Sequence, residues 1–314
     1  MTRDEISTTG DGSTERVTVV APTEERNPRT TGIDTLPSLE ILRLLNAEDA
    51  TVAPAVAAVL PELALLVDRA VACLRAGGAV HYFGAGTSGR LAVLDAAELL
   101  PTFAVPPGLV VAHHAGGAAA LVRALENVED DVELGRSDAD DLGPHDVAIG
   151  LTASGRTPYV GAALTRARER GATTALLTSH PHAELADRAD HLIVTDTGPE
   201  ALTGSTRLKA GTAQKLVLNS FSTAVMIRLG RTWGNLMVEL VATNAKLRGR
   251  VVHILEEASG CAPDEVHAAL DAAGGELKPA LLALLAGVDA SAARRALELH
   301  DGSVAAALAA LAAR

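Results

Sequence analysis

Val80-His-Tyr-Phe-Gly-Ala-Gly-Thr-Ser-Gly-Arg90, followed at once by Leu91-Ala-Val-Leu-Asp-Ala-Ala-Glu98, is a short run of β-formers, a Gly-rich turn and the start of an amphipathic helical pattern. Strand, turn and helix start in that order gather free backbone N–H groups and the positive end of a helix dipole at one spot. Such a spot attracts an anion, usually a phosphate. Beside Gly86, the hydroxyls of Thr87 and Ser88 add donors where those N–H groups converge. The stretch reads as the phosphate cradle of an enzyme.

The same letters, Gly84-Ala-Gly-Thr-Ser-Gly89, satisfy the dinucleotide fingerprint G-x-G-x-x-G. That fingerprint needs an acidic residue about 20 positions on, at the end of the second strand, to hold a ribose. Here the next strand candidate, Leu109–Ala115, ends in His113 and His114, and Asp95 and Glu98 come too early, inside the helix. The nicotinamide reading therefore loses its support. Glycines serving only a tight turn between strand and helix remain the bland alternative.

Outward from the cradle, strand candidates at 79–84, 109–115, 146–152, 173–179 and 191–196 alternate with helical segments. This alternation predicts an α/β fold: a doubly wound, three-layer parallel sheet with helices on both faces. Ligands bind such sheets at the carboxyl ends of the strands, so the loops after the strands are the functional candidates. Upstream, helices are expected near Ser38–Asn46 and Ala50–Ala76, the second stopped by Gly77-Gly78. Downstream, long helices are expected near 207–229 and 243–257. Beyond Gly260, short Ala/Leu helices at 263–272, 277–286, 290–299 and 303–313 carry no strand signal and form a small all-helical domain. The expected division is a mobile tail at 1–22, a loop and helices at 23–69, a sheet domain at 70–233, a linking helical segment at 234–258 and the helical domain at 259–314.

Bulk properties narrow the function. The chain has 314 residues, 48% hydrophobic and 21% charged, enough for one large domain and a small one. A net charge of -12 argues against nucleic acid as a partner. No uninterrupted apolar run approaches a membrane span and no secretory signal is visible, so no membrane partner is expected. Cys73 and Cys261 form no CxxC pair, which favours a reducing, cytoplasmic setting without structural disulfides.

Leu151-Thr-Ala-Ser-Gly-Arg-Thr-Pro158 is a second strand-to-helix turn dense in hydroxyls, with Ser154, Gly155, Arg156 and Thr157 at its centre. Two such loops on one sheet are explained by one polar ligand, phosphate or sugar, or by ordinary helix capping. A third polar stretch, Thr203–Lys215, opens a long helix, with Ser205 and Thr206 as candidate N-caps and Arg207 and Lys209 in the first turn. Cations there oppose the helix dipole, which hints at function. His113-His114 and His180-Pro-His182 lack the companions of a metal site, and no metal or cofactor is expected. Gly150–Gly155 has no G-x-S-x-G elbow, which disfavours a serine hydrolase.

Taken together, these motifs resemble the sugar isomerase (SIS) domain family and, within it, the N-acetylmuramic acid 6-phosphate etherases. The resemblance runs through Thr23-Glu-Glu-Arg-Asn-Pro28, Gly84–Leu91, Leu94-Asp-Ala-Ala-Glu98 and Pro101-Thr-Phe103. It continues through Ala115-Gly-Gly117, Val128-Glu-Asp-Asp131, Ala153–Tyr159, Ser205–Leu216 and Ala242–Leu247, in the family's order. It implies loss of D-lactate from C3 of a small-molecule phosphosugar, leaving N-acetylglucosamine 6-phosphate, in a homodimer with sites near the interface. In the open-chain sugar the C1 aldehyde acidifies the C2 proton. A base removes it, an acid protonates the departing lactate oxygen, and water adds to the enal, which calls for two groups in opposite protonation states.

By the same resemblance Glu98 is the acid for the lactate oxygen and Glu129 the candidate C2 base. Gly86, Thr87, Ser88, Ser154, Gly155 and Thr157 hold the 6-phosphate, with Arg156 and Lys209 as further candidates. Without the resemblance, Glu98 reads as a solvated helix carboxylate and Glu129 as part of an acidic run. Leu99-Leu100 and His113-His114 depart from the family pattern beside the site. An aldose–ketose isomerase and a non-catalytic phosphosugar sensor on the same fold are the rival readings.

Overall fold

Five parallel strands form the central sheet: β1 (Val80–Gly84), β2 (Val110–His114), β3 (Val147–Leu151), β4 (Thr173–Thr178) and β5 (His191–Val194). Their order is β2-β1-β3-β4-β5. β3 and β4 are buried along their whole length, while the edge strands β2 and β5 are mostly half-buried. Continuous apolar runs in the middle of the sheet are what helices on both faces require.

The computed structural model describes residues 21–239 and 245–313. The expected tail at 1–22 lies almost wholly outside the described residues, as does the first half of Ala242–Leu247.

Alternation along β1 sorts side chains between two cores. Tyr82 faces a layer made by α2 (Val52–Arg75), α3 (Gly86–Phe103) and α7 (Lys209–Arg228), with Leu66, Val67, Ile149, Leu177 and Phe221. Phe83, one residue on, faces the opposite layer of α5 (Val132–Asp138) and α6 (Pro158–Glu169), with Ala148, Tyr159, Leu164 and Leu176. A short helix, α4 (Gly117–Val122), leaves the end of β2. Ahead of the sheet, α1 (Ser38–Asp49) is three residues longer at its end than the sequence pattern suggests.

No uninterrupted apolar run of membrane length occurs ahead of the sheet, since Glu62, Asp68 and Arg69 break α2. Even so, by length and composition alone, Ser38–Arg75 could cross a bilayer. Its inner side, including Val56, Leu63, Leu66, Val67 and Ala70, packs into the sheet domain as a core helix does. Its outer side leaves Leu39, Leu42, Leu60 and Leu65 exposed.

After α7 a two-residue-strand hairpin, β6 (Thr232–Trp233) and β7 (Leu236–Met237), leads to the helical part. That part comprises α8 (Ala245–Ser259), α9 (Pro263–Ala272), α10 (Leu277–Ala286), α11 (Ala290–Leu299) and α12 (Val304–Ala312). Asp289 and Ser303 cap α11 and α12 through the N–H groups of Ala292 and Ala306. The segment expected as a link, 234–258, contributes Val238, Val251, Ile254 and Leu255 to the same core as Val266, Leu281, Leu297 and Val304.

Candidate active site

The strand order places the two hydroxyl-rich loops side by side. β1 is followed by β2 on one flank, and the chain then returns across β1 to β3, so the direction of winding reverses between β1 and β3. Such a reversal opens a crevice at the carboxyl ends of the two strands. Gly84 and Leu151 are partners in the register, so the loops that leave them start as neighbours.

The first loop folds tightly because two glycines touch. A Cβ on Gly89 would stand 2.5 Å from the carbonyl oxygen of Gly84 and 2.8 Å from the His114 ring. Gly86 takes φ +55°, a left-handed turn that costs glycine little. α3 then begins with Ala85 as N-cap, and no side chain caps its first N–H groups. The end of the helix thus keeps both its dipole and its donors for an anion.

In the second loop the hydroxyls bind one another. Thr152 Oγ1 lies 2.7 Å from Thr157 Oγ1 and 3.2 Å from Ser154 Oγ, and it accepts from the Gly155 N–H at 3.2 Å. Thr157 occupies the N-cap position of α6 without capping it. That weakens the capping explanation for this loop and favours a ligand.

Between the loops lies a cavity of about 350 Å³, within the range of small-molecule sites. Of the residues singled out in the sequence, Gly86, Thr87, Ser88, Ser154, Thr157 and Glu129 line it. Glu129 arrives on a single helical turn, Val128–Asp130, after α4. Gly155 is buried beneath its loop at φ +71°, and Arg156 is half-buried outside the lining residues.

Lys209 is a correction. It does not line the cavity: its side chain is 1% exposed and its Nζ donates to Glu48 Oε2 at 2.8 Å. Glu48 also accepts from Asn27 Nδ2 at 2.7 Å and from the Arg29 guanidinium. The expected caps of α7 are corrected too, because Glu200 accepts from the N–H groups of Lys209 and Ala210 at 2.9 and 3.0 Å. Buried carboxylates therefore compensate the cation at this helix start. The same network fastens the polar loop after Thr23 to the sheet domain, through Asn27 to Pro199 O and Thr30 to Ala201 O.

The Arg29 hydrogen bond, then those of Lys209 and Asn27, hold Glu48 down to about 2 from an ordinary 4.5, against the opposing effect of burial. Its folded-state value lies below the unfolded one, so its stabilisation is complete above about pH 4.5 and is lost as pH falls towards 2. Lys209→Met breaks the buried pair and should lower unfolding stability by about 3 kcal/mol at pH 7. Urea titrations of both proteins at pH 7 and pH 3 check this. The gap should narrow at pH 3, and a difference near zero at pH 7 would refute the stabilising role.

Glu98 stands apart from Glu129. It lines a second cavity, of about 600 Å³, with Asp95, Thr102, Lys215, Asn219 and Asn235. Asp95 there accepts from Tyr82 and Ser222 hydroxyls, each at 3.0 Å. Burial pushes it up to about 6, against those two hydrogen bonds. Within one chain the two glutamates do not share a cavity.

Thr152, read in the sequence as one hydroxyl of the second loop, also lines the first cavity, and the sequence reading did not assign Glu24, Arg90, His114 and Thr206 to it. Arg90 donates to the carbonyls of Ala120, Leu121 and Arg123 and so holds α4 over the site. Glu24 belongs to the polar Thr23–Pro28 stretch, whose specific composition was the available signal. It approaches through the turn at Gly204, where a Cβ would meet the Glu24 carboxylate at 2.8 Å. The other histidines are placed differently: His113 stacks against both His81 and Phe83, and burial lowers it to about 4. Among the described residues no group of three or more His, Cys, Asp or Glu side chains is arranged to hold a metal ion.

Comparison with known proteins agrees with this architecture. The family model described as SIS domain matches residues 122–224, and that of the glucokinase regulatory protein N-terminal SIS domain matches residues 62–168. An N-acetylmuramic acid 6-phosphate etherase of Thermobifida fusca is 61% identical over 85% of this chain and 88% of its own length. The enzyme of that name from Serratia proteamaculans is 51% identical over 91% of this chain and 97% of its own. Among solved structures, a phosphoheptose isomerase from Francisella tularensis superposes with a TM-score of 0.50 at 20% identity, covering 61% of this chain and all of its own, which speaks to the fold.

Proposed function

The chain belongs to the N-acetylmuramic acid 6-phosphate etherases, and from that premise we infer that it cleaves the D-lactyl ether of N-acetylmuramic acid 6-phosphate with water. The products are N-acetylglucosamine 6-phosphate and D-lactate, which makes the protein a carbon–oxygen lyase. The observation that carries the reading is the cavity at the β1/β3 crevice. It offers a phosphate uncapped helix N–H groups, Thr87, Ser88, Ser154 and Thr157, with a carboxylate, Glu129, on its wall.

The 6-phosphate sits at the start of α3, where the dipole and hydroxyl donors offset a background of net negative charge. Glu129 takes the C2 proton of the open-chain sugar. Glu98 gives a proton to the lactate oxygen, so the C3–O bond breaks as the C2–C3 double bond forms. Water then adds at C3 and a proton returns to C2. Arg156, half-buried beside the second loop, is a weaker candidate for the phosphate, and Gly155 shapes the loop by its backbone.

Because Glu98 and Glu129 line separate cavities, the working assembly is a homodimer in which one copy completes the site of the other. Leu94 and Leu100, exposed on α3 on either side of Glu98, and the outer leucines of α1 and α2 give such a pairing apolar surface. A cytoplasmic setting fits two free cysteines, one of them buried.

The test is D-lactate release from N-acetylmuramic acid 6-phosphate by purified protein without added metal or nucleotide. Release at enzymatic rates is expected. Tight binding of the phosphosugar without release would instead identify a sensor.

A further inference from the structure

We propose that His114 is a specificity-determining residue of this site: its Nε2 accepts a hydrogen bond from a hydroxyl of the bound phosphosugar. The proposal rests on the reading of the cavity as a phosphosugar site. Three observations point to it. His114 is the last residue of β2, pairs in register with Gly84, and lines the cavity between the two hydroxyl loops and Glu129. It is only 7% exposed, and its Nε2 has no hydrogen-bond partner among the described residues. The other ring nitrogen is committed, since Nδ1 lies 2.7 Å from the carbonyl oxygen of Ala115.

That last contact decides the tautomer. A carbonyl oxygen only accepts, so Nδ1 carries the hydrogen and the neutral ring presents a lone pair at Nε2. A buried acceptor without a donor is costly, and a cavity wall is where a ligand can supply one. The rest of the cavity favours a sugar hydroxyl over the phosphate. Donors for the anion are already gathered in the N–H groups at Gly86–Ser88, the Thr87 hydroxyl and the Ser154–Thr157 loop, while Ser88 gives its hydroxyl hydrogen to Gln214 Oε1 at 2.9 Å; a lone pair would repel the anion.

The ring is also held in place. Its Cδ2 edge packs so closely on Gly89 that any Cβ there would collide with it at 2.8 Å. A hydroxyl near the phosphate end of the chain is the one within reach of a ring set against the cradle. In the open-chain sugar the C5 oxygen carries a hydrogen, and in the closed ring it does not. A fixed acceptor at this position therefore discriminates in favour of the reactive, open form.

Calorimetric titration of wild type, His114→Leu and His114→Gln with N-acetylglucosamine 6-phosphate and, separately, with inorganic phosphate tests this. The leucine variant should bind the sugar phosphate about tenfold more weakly, while inorganic phosphate affinity stays within about twofold. The glutamine variant, whose amide oxygen can accept, should recover most of the loss. Melting temperatures measured alongside separate binding from folding. An equal loss for both ligands would overturn the proposal by making the ring a phosphate ligand or a prop for the cradle. No loss for either would also overturn it. A wild type that binds no sugar phosphate would overturn the underlying reading, and the proposal with it.

Discussion

Glu98→Gln is expected to lower kcat/KM for lactate release by about 10³-fold or more, with the fold and product affinity nearly unchanged. The size follows from the role. A positioned general acid contributes about 10²–10⁴-fold, and lactate is a poor leaving group without a proton. Gln keeps the shape of Glu but has no proton to give. Product affinity should survive because the phosphate cradle begins at Gly86, three turns of α3 away from residue 98. The two half-reactions can also be separated. With Glu129 as the C2 base, Glu98→Gln should still exchange the C2 proton with deuterated water while releasing no lactate. Glu129→Gln should do neither. Near-normal lactate release by Glu98→Gln would remove this residue from the chemistry. Loss of exchange in that variant as well would make Glu98 the base and reverse the assignment.

The sheet was legible in the sequence because its strands are short apolar runs punctuated by Gly and polar turns. All five lie within a residue or two of their expected bounds. The four last helices were equally plain, since Pro263, Asp289 and Ser303 mark starts and Gly274-Gly275, Gly287 and Asp301-Gly302 mark ends. The two-residue strands of the 232–237 hairpin carry no alternation to read, and they were missed. Lys209 was misread for a different reason. A cation in the first turn of a helix opposes the dipole, and sequence shows the conflict but not its resolution. Glu48 lies 161 positions away and is brought to Lys209 only by the tertiary fold. His114 and Glu24 carried only indirect signals, a departure from the family pattern at His113-His114 and the composition of Thr23–Pro28, because neither belongs to a strand-end loop of β1 or β3 and only the tertiary fold brings them to the cavity. The hydroxyl loops were readable because their order along the chain is their order around the site.

Randomly assorted dimers of co-expressed Glu98→Gln and Glu129→Gln subunits should regain about a quarter of wild-type activity, although each variant alone is nearly inactive. The argument begins with α3. Residues 87 and 98 are eleven positions apart on one helix, about 16 Å at 1.5 Å per residue. A 6-phosphate held at Thr87 and Ser88 is only a few bonds from C3, so the lactate oxygen cannot reach the Glu98 of the same chain. Glu98 instead opens into a cavity of its own, flanked by the exposed Leu94. A twofold axis that crosses two copies of α3 would bring each Glu98 to the other copy's cradle. In a heterodimer of the two variants, one site then combines two mutated carboxylates and the other combines two intact ones. Random assortment makes about half the dimers mixed, each with one working site, hence the quarter. Co-expression with two different affinity tags isolates the mixed species, whose activity should reach about half that of wild type. Verified mixed dimers that remain inactive would mean that both carboxylates act within one chain, and would require α3 or the Val128–Asp130 turn to move on substrate binding.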